Sequence, residues 1–258
     1  MPEMQPNFGA VAETYARVRP GYPPQVFDDL VALTDIPQHG RILEIGPATG
    51  QATLPLALRG YDITGVELEE SLVREARRLL ADYANVELHV ADFEAWPLSA
   101  TPSDMVLAAT AFHWIDPAIR YVKSAQALRS GGALAVIHSR HVAGGDQAFF
   151  DQAQAFYQAH MPGAGARPLP RAEELPPGTA GVRASGLFDE PEVRRYLWHE
   201  TYTARQYTDL LSTYSDHIAL PEESRRALFE CIAALIDGRH GGSMRKQYLT
   251  ELVVARKR

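Results

Sequence analysis

The stretch LEIGPATGQATLPLA, residues 43–57, decides the fold of this chain. It completes a short apolar run, RILEIG at 41–46, that has the composition of a buried β-strand. Small residues then alternate at Gly46, Ala48 and Gly50, and a helical segment follows. A turn of small residues between a strand and a helix brings backbone N–H groups close to a ligand, and the helix N-terminus favours a negative group. The stretch therefore predicts a nucleotide-like ligand at the end of the first strand.

The loop does not fit the two common phosphate-binding patterns. A dinucleotide-binding loop has the spacing G-x-G-x-x-G, but here the second and third glycine positions hold Ala48 and Gln51. A Walker-type loop fails as well, because no Gly-Lys-Ser/Thr sequence follows. Because the dinucleotide-binding pattern is incomplete, an NAD(P)-dependent oxidoreductase is a less favoured interpretation of this loop.

Strand and helix signals alternate through the first half of the chain. Strands are expected at 41–46, 61–68, 86–92, 104–110 and 132–139, and helices at 23–34, 50–59, 71–84 and 116–129. Pro55 indicates that the second of these helices starts late or has a distorted first turn. The alternation predicts an α/β fold, a doubly wound and mostly parallel seven-stranded sheet with helices on both faces. Its ligand should lie outside the carboxyl ends of the strands.

The pattern changes after residue 140. A helix is expected at 146–160, a long Pro- and Gly-rich loop at 161–186, a strand within 191–203, a helix at 221–238 and a last strand at 247–256. We interpret these segments as the completion of the same sheet with helical insertions. The expected organisation is one domain over 1–258, with an N-terminal helical cap at 1–35, a cofactor-binding core at 36–140 and substrate-pocket insertions at 141–258.

Composition and charge argue against several classes of function. The 258 residues carry a net charge of −7 and their basic residues are scattered, so we expect no nucleic-acid partner. No apolar run is long enough for a membrane span, and the N-terminal segment lacks the pattern of a secretory signal. The single cysteine, Cys231, permits no internal disulfide, and the histidines show no metal-ligand spacing. We therefore expect a cytoplasmic protein with no metal site and no membrane association.

Three strand ends together carry a family resemblance. The run EIGPATG at 44–50 resembles the acid-x-Gly-x-Gly-x-Gly loop of class I S-adenosylmethionine-dependent methyltransferases, with Ala48 in place of the middle glycine. Glu67 ends the second strand, and Asp92 followed by Phe93 ends the third, as in that family. The resemblance implies the Rossmann-like methyltransferase fold and S-adenosylmethionine as cofactor, with S-adenosylhomocysteine as product.

The resemblance also implies how the cofactor would be held. The loop residues expected around the methionyl group are Glu44, Gly46, Pro47, Ala48 and Gly50. Glu67 would accept the ribose hydroxyls, with Leu68 beside it; the alternative is a solvated acid next to Glu69 and Glu70.

The other end of the cofactor involves the next two strand ends. Asp92 would accept the exocyclic amine of adenine and the backbone N–H of Phe93 would meet a ring nitrogen, whereas the alternative for Asp92 is a turn cap. Thr110 and Ala111 follow the fourth strand and complete the expected cofactor set.

A narrower resemblance concerns the acceptor. The segments FGAVAETYARVRPGYP (8–23), AFHWID (111–116) and SGLFDEP (185–191) are similar to those of the trans-aconitate methyltransferase-like, methyltransferase type 11 subgroup. This subgroup implies a small organic acceptor, and it leaves open whether oxygen, nitrogen or carbon is methylated. A monomer or homodimer is expected.

His113 and Trp114 follow the fourth strand, where the transferred methyl group is expected. His113 is a candidate general base because imidazole titrates near neutral pH, or equally a structural histidine that shapes the pocket. Trp114 is expected to form a wall of the acceptor pocket, with a cation–π contact to the sulfonium as the alternative.

Five further residues complete the candidate set. Tyr15 and Arg19 belong to the N-terminal segment, and the planar guanidinium of Arg19 suits the methionyl carboxylate. His138, Arg140 and His141 follow the fifth strand and are candidates for the acceptor pocket, with rim positions as the alternative. The function expected is methyl transfer from S-adenosylmethionine to a small organic molecule by direct in-line attack, and a non-catalytic sensor of S-adenosylmethionine or a metabolite is the alternative.

Overall fold

The computed structural model describes residues 11–162 and 169–258. The start of the expected cap (1–10) and part of the expected long loop (163–168) lie outside the described residues. The strands are β1 (Arg41–Ile45), β2 (Asp62–Glu67), β3 (Val86–Val90), β4 (Ser103–Ala109), β5 (Leu128–Gly145), β6 (Glu192–Thr203) and β7 (Ser243–Arg256). The helices are α1 (Ala12–Val18), α2 (Pro24–Thr34), α3 (Thr53–Ala57), α4 (Glu70–Leu79), α5 (Pro117–Ala127), α6 (Gln147–His160), α7 (Ala180–Ser185), α8 (Ala204–Leu211), α9 (Ser215–Ile218) and α10 (Glu222–Arg239).

The seven strands form one sheet in the order β3-β2-β1-β4-β5-β7-β6. The pairs β1–β2, β2–β3, β1–β4 and β4–β5 are parallel. The chain runs outward from β1 to β3 and then returns to place β4 on the other side of β1. This reversal creates the crevice at the strand ends where doubly wound sheets bind ligands. The predicted mostly parallel, doubly wound sheet is confirmed.

The chain divides into two compact units. One, which we call the sheet unit, comprises residues 21–139, 177–196 and 250–258. The other, which we call the helical unit, takes its residues from the ranges 1–20, 140–176 and 197–249. The expected division into cap, core and insertions stays a prediction.

The sheet unit buries both faces of its central strands. In β1 and β4, Ile42 and Leu107 pack into one apolar cluster, while Leu43 and Val106 pack into a second cluster. All four side chains are at most 6% exposed. This burial explains why these strands read as continuous apolar runs in the sequence.

The helical unit has an aromatic core. Its cluster combines Phe149 of α6, Tyr207 of α8 and Tyr248 of β7 with aliphatic residues such as Ile232 of α10. Throughout the described ranges, no helix combines the length and the apolar character needed to cross a bilayer.

Local signals position two helices as expected. α5 begins at Pro117, and Asp116 caps it by accepting a 2.7 Å hydrogen bond from the Ala118 N–H. α3 begins only at Thr53, so Pro55 lies in its first turn, where its missing N–H has no helical partner to lose.

The boundary between α5 and β5 is displaced from its expected place. The sequence predicts a helix to residue 129 stopped by glycines, but α5 ends at Ala127 and β5 begins at Leu128. Ser103 pairs with Leu128 whereas Met105 pairs with Ala133, so the strand bulges between them. The two glycines that follow residue 130 accommodate this bulge rather than the end of the helix.

The expected long loop at 161–186 is wrong in its second half, where α7 forms over Ala180–Ser185. Gly186, with φ +67°, ends this helix in the left-handed conformation that glycine favours. The helix α8 was also not predicted, although Thr203 and Gln206 form a capping box at its start.

Candidate functional site

The backbone conformation of the loop after β1 explains why its residues are small. Gly46, Ala48 and Gly50 have φ values of +64°, +50° and +94°. This left-handed region is accessible to glycine without penalty and costs other residues about 1 kcal/mol or more. Ala48 therefore adopts the conformation that glycine, the usual residue at the middle position of the loop pattern, favours.

Gly46 is also required by close packing. A Cβ atom at this position would lie 2.6 Å from the Cβ of Ala111. Its N–H donates to the Val66 carbonyl at 2.9 Å. The loop is thereby held against β2 and against the segment after β4, so the ends of three neighbouring strands converge.

The carboxylate of Glu67, at the end of β2, forms hydrogen bonds with the loop after β1 and with the segment after β2. Its Oε2 accepts a 3.0 Å hydrogen bond from the Ala48 N–H, and its Oε1 accepts a 3.1 Å bond from the Glu69 N–H. The side chain is 9% exposed, so it is not the solvated surface acid of the alternative interpretation. Burial raises the pKa of Glu67, and hydrogen bonds from the backbone of Glu69, Ala48 and Leu68 act against that rise. Each carboxylate oxygen keeps a second lone pair that can accept a hydroxyl.

Glu44, at the end of β1, is buried with an unsatisfied oxygen. Its Oε2 accepts a 2.8 Å hydrogen bond from the Thr53 hydroxyl, but its Oε1 has no partner among the described residues. Burial raises the pKa of Glu44 to about 7, against the weaker effect of the Thr53 bond, and the charge of Glu67 adds to the rise. A buried acceptor of this kind requires a donor. The ammonium of a methionyl group is a suitable one, so the residues of this loop fit the expected cofactor.

Asp92 and Phe93 follow β3 and point to different surroundings. Asp92 is exposed, and its Oδ1 accepts a 2.8 Å hydrogen bond from the Glu94 N–H, so the turn cap of the alternative interpretation is present. Phe93 is 3% exposed and packs in the sheet unit's second apolar cluster. Leu68, beside Glu67, is 47% exposed and offers apolar surface. Adenine contacts by these residues stay a prediction.

Thr110 lies at the same edge of the sheet. Its φ is +57°, its N–H donates to the Ile137 carbonyl at 2.7 Å, and its hydroxyl lies 3.0 Å from the Tyr22 hydroxyl. Tyr22 was not predicted as a site residue. Sequence reasoning selected Tyr15 from the N-terminal segment, and no local pattern marked Tyr22 as the tyrosine that reaches the end of β4.

His113 and Trp114 form a short 3₁₀ helix with Phe112, just after β4. Their rings are 4.8 Å apart between centroids. Partial desolvation lowers the pKa of His113, and the charge of Arg120 lowers it further. The imidazole is therefore neutral at pH 7 and can accept a proton, as a general base must.

The expectation that His138, Arg140 and His141 follow the fifth strand is wrong, because β5 continues to Gly145 and contains all three. They divide between the two units. His138 belongs to the sheet unit, where a Cβ atom on Gly178 would lie 2.8 Å from its Nε2. Arg140 and His141 belong to the helical unit. Their roles in an acceptor pocket stay predictions.

Tyr15 and Arg19 also belong to the helical unit. The Arg19 guanidinium donates from Nε to the Thr213 hydroxyl at 2.8 Å and from Nη2 to the Thr213 carbonyl at 2.6 Å. It lies 4.7 Å from the ring centroid of Tyr15 and 4.6 Å from that of Tyr214. Its pairing with a methionyl carboxylate stays a prediction.

Sequence reasoning missed a buried lysine in the helical unit. Lys246 is 3% exposed and lies on β7 between Met244 and Tyr248, which are each 1% exposed. The alternation of buried and exposed positions along β7 was the available signal, because it puts Lys246 on the face of its apolar neighbours. As for metals, residues 11–162 and 169–258 contain no cluster of three or more His, Cys, Asp or Glu side chains suited to an ion.

Comparison with known proteins identifies the domain. Residues 42–132, which include the loop and the ends of β1 to β4, match a family model described as a methyltransferase domain. Residues 42–132 thus correspond to a methyltransferase domain.

Curated proteins that are similar to this chain are named as methyltransferases. An uncharacterized methyltransferase of Mycobacterium bovis is 33% identical over 135 residues, which is 52% of this chain and 53% of that protein. The chain thus spans about half the length of the curated relative. A ribosomal RNA small subunit methyltransferase A of Levilactobacillus brevis is 30% identical over 79 residues, 31% of this chain and 27% of that enzyme.

Solved structures share the fold of this chain over most of its length. A protein described as a candidate type II methyltransferase from Anaeromyxobacter dehalogenans has a TM-score of 0.62 at 23% identity, covering 92% of this chain and 97% of its own. Phosphoethanolamine N-methyltransferase 2 of Haemonchus contortus, in complex with phosphomonomethylethanolamine and S-adenosylhomocysteine, has a TM-score of 0.55 at 16% identity, covering 96% and 57%. At these identities the likeness concerns the fold alone.

The packing of the loop predicts the cost of a side chain at Gly46. Gly46→Ala should lower the free energy of unfolding by roughly 2 to 4 kcal/mol, because it combines a left-handed backbone with a close contact. Gly21→Ala is the matched control, since a Cβ there meets nothing within 4 Å. Urea denaturation of both variants measures the effect, and equal stability of the two would contradict the packing argument.

The buried carboxyl of Glu44 predicts a pH dependence of stability. Because its pKa in the native protein is about 7 against 4.5 for the ordinary group, the native state keeps a proton that the unfolded chain releases. The carboxyl's contribution is present below pH 4.5 and is lost as pH rises to 7, by about 3 kcal/mol at 1.36 kcal/mol per pKa unit.

Glu44→Gln should therefore lose less stability than the wild type between pH 5 and 8, by about 2 kcal/mol or more. Urea denaturation at several pH values, without cofactor, measures the difference. Glu70→Gln, which removes an exposed acid from the first turn of α4, is the control. Wild-type and Glu44→Gln curves that stay parallel across this range would show that Glu44 is not protonated in the native state.

Proposed function

We propose that this methyltransferase transfers a methyl group from S-adenosylmethionine to a small organic acceptor. The observation that supports the proposal best is Glu67, a buried carboxylate that is oriented by the Ala48 and Glu69 N–H groups at the end of β2. Such an acid at the end of the second strand suits the two ribose hydroxyls of an adenosyl group. The loop at 44–50 has no pyrophosphate-binding pattern, which favours a methionyl group over a dinucleotide.

The chain's own residues would hold the cofactor and exclude water from it. Glu67 would accept the ribose hydroxyls, Asp92 and Phe93 would meet the adenine, and Glu44 would face the methionyl ammonium. S-adenosylmethionine, when bound, supplies a methyl group that its sulfonium charge already activates. The loop and strand ends would then serve mainly to position the reactants, which can contribute several kcal/mol to the acceleration.

The acceptor's nucleophilic atom would attack the methyl carbon in line with the carbon–sulfur bond that breaks. An acceptor that carries a proton needs a base, and His113 is the proposed one because its imidazole is neutral at pH 7. Trp114, whose ring packs beside it, would form a wall of the pocket. An acceptor that is already a carboxylate needs no base.

A small molecule is the proposed class of acceptor. The solved Haemonchus enzyme binds phosphomonomethylethanolamine, which supports a small acceptor on this fold. The net charge of −7 disfavours RNA as the acceptor, because phosphate backbones are bound by concentrated basic residues. The match to the ribosomal RNA methyltransferase covers only 31% of this chain, so it does not support RNA as the acceptor.

Binding of the cofactor tests the first half of the proposal. Glu67→Gln should weaken S-adenosylmethionine binding about 10- to 100-fold, because the amide nitrogen that replaces one carboxylate oxygen donates hydrogen bonds and cannot accept them. Calorimetry with S-adenosylmethionine, S-adenosylhomocysteine and NAD measures the affinities, with Glu70→Gln as the control variant.

Unchanged affinity of Glu67→Gln for both adenosyl compounds would remove Glu67 from the site. Wild-type protein that binds NAD and neither adenosyl compound would support the oxidoreductase alternative instead. Adenosyl binding without transfer of labelled methyl groups to any component of a metabolite extract would support the sensor.

The role of His113 is tested once an acceptor has been found in such an extract. With an acceptor that carries a proton, His113→Gln should lower kcat at least about 100-fold. The wild-type rate should fall on acidification through a pKa below 6.5, because protonation removes the base, and this limb should vanish in the variant. His199→Gln, at an exposed position on β6, is the control. If His113→Gln changes KM and leaves kcat unchanged, His113 shapes the pocket and is not the base.

A further inference from the structure

Lys246 is a buried cation that the proposed methyl transfer does not use. It is 3% exposed and lies on β7 within the helical unit. Taking an ammonium group out of water is costly unless another group compensates for the lost hydration. A lysine in such a position therefore needs an explanation in the structure around it.

Aromatic rings provide part of the compensation. The Lys246 Nζ atom lies 5.5 to 5.6 Å from the ring centroids of Phe150, Tyr207 and Tyr248. Rings at this distance attract a cation through their quadrupoles. They do not neutralise its charge, and burial still lowers the pKa of Lys246 to about 7, with Arg19 adding to the effect.

A second cation lies in the same region of the helical unit. Arg19 uses its guanidinium on the neutral oxygens of Thr213 and on two tyrosine rings. Within residues 11–162 and 169–258, neither Lys246 nor Arg19 forms an ion pair with a carboxylate. Burial lowers the pKa of His141 well below its ordinary range, and the charges of Lys246 and Arg19 lower it further.

The carboxylate of Asp216 raises the pKa of both Lys246 and His141, but it already accepts a hydrogen bond from another residue. Its Oδ1 accepts a 2.7 Å hydrogen bond from the His217 Nδ1, and its side chain is 59% exposed. Among the described residues, the region thus contains a buried ammonium and a half-buried guanidinium, and no carboxylate forms an ion pair with either. Two like charges without a counter-ion destabilise each other when buried.

We propose that Arg19, His141, Tyr214 and Lys246, which we call the basic cluster, bind a small organic anion with a carboxylate or phosphate monoester group. Lys246 supplies the charge as an ammonium with three donors, Arg19 adds a planar cation, and the Tyr214 hydroxyl, 3.3 Å from His141 Nε2, adds a polar contact. Phe150, Tyr207 and Tyr248 exclude water around the anion.

Chemical labelling of the wild-type protein tests the site without any substitution. The chain has three lysines, Lys123, Lys246 and Lys257, so acetylation of each can be followed by mass spectrometry in one sample. Inorganic phosphate or succinate should slow acetylation of Lys246 at least about fivefold relative to the other two. Acetylation of all three lysines that is insensitive to both anions would overturn the proposal.

A charge-removing variant provides the second test. Lys246→Met should unfold at a higher temperature than the wild type in anion-free buffer, because it removes a buried unpaired charge, and it should lose the stabilisation by phosphate or succinate. Arg205→Met is the matched control, since its side chain is 88% exposed. A Lys246→Met variant that keeps the full anion-induced shift would overturn the proposal, and the labelling result stands if the variant does not fold.

The source of the anion is distinguished by the choice of probe. Protection by phosphate alone assigns a phosphate monoester, and protection by succinate alone assigns a carboxylate. Full protection by S-adenosylhomocysteine, with no effect of either anion, would overturn a separate anion site in the basic cluster. Anion protection in a protein that binds no adenosyl compound would support the anion site and contradict the proposed methyl transfer, so the two failures are distinguishable.

Discussion

The hydrogen bonds from the Ala48 and Glu69 N–H groups to the carboxylate of Glu67 are the interaction on which the site depends. They join the loop after β1 to the end of β2, and they hold the buried Glu67 side chain in one orientation. They also offset the left-handed backbone of Ala48, which would otherwise be the least favourable residue of the loop. The same contacts that build the turn thus prepare the acid that is proposed to bind ribose.

The sheet unit could be predicted well because its determinants are local. Left-handed residues at Gly46 and Gly50 require small side chains at fixed spacing, and the buried strands around them read as apolar runs. The acid at the end of β2 then follows from parallel topology, since neighbouring strand ends meet at one edge of the sheet. The α5–β5 boundary failed because the bulge depends on pairing between Ser103 and Leu128, which no local pattern encodes.

The helical unit was harder to predict because its chemistry is assembled from distant segments. Arg19 meets Thr213 across 194 positions of sequence, and Lys246 meets the rings of Phe150 and Tyr207 from different elements. Each residue alone resembles an ordinary surface or core position. Only their packing shows that a buried lysine and a half-buried arginine lie among aromatic rings, which is why Lys246 was not among the candidates although Arg19 and His141 were.

The most direct test of the central claim is a crystal structure of the protein with S-adenosylhomocysteine. Both ribose hydroxyls should lie within hydrogen-bond distance, about 2.5 to 3.0 Å, of the Glu67 carboxylate oxygens. The methionyl group should lie against the loop at 44–50, with its ammonium near Glu44. An adenosyl group bound elsewhere, or a Glu67 that keeps only its two backbone contacts in the complex, would contradict the account.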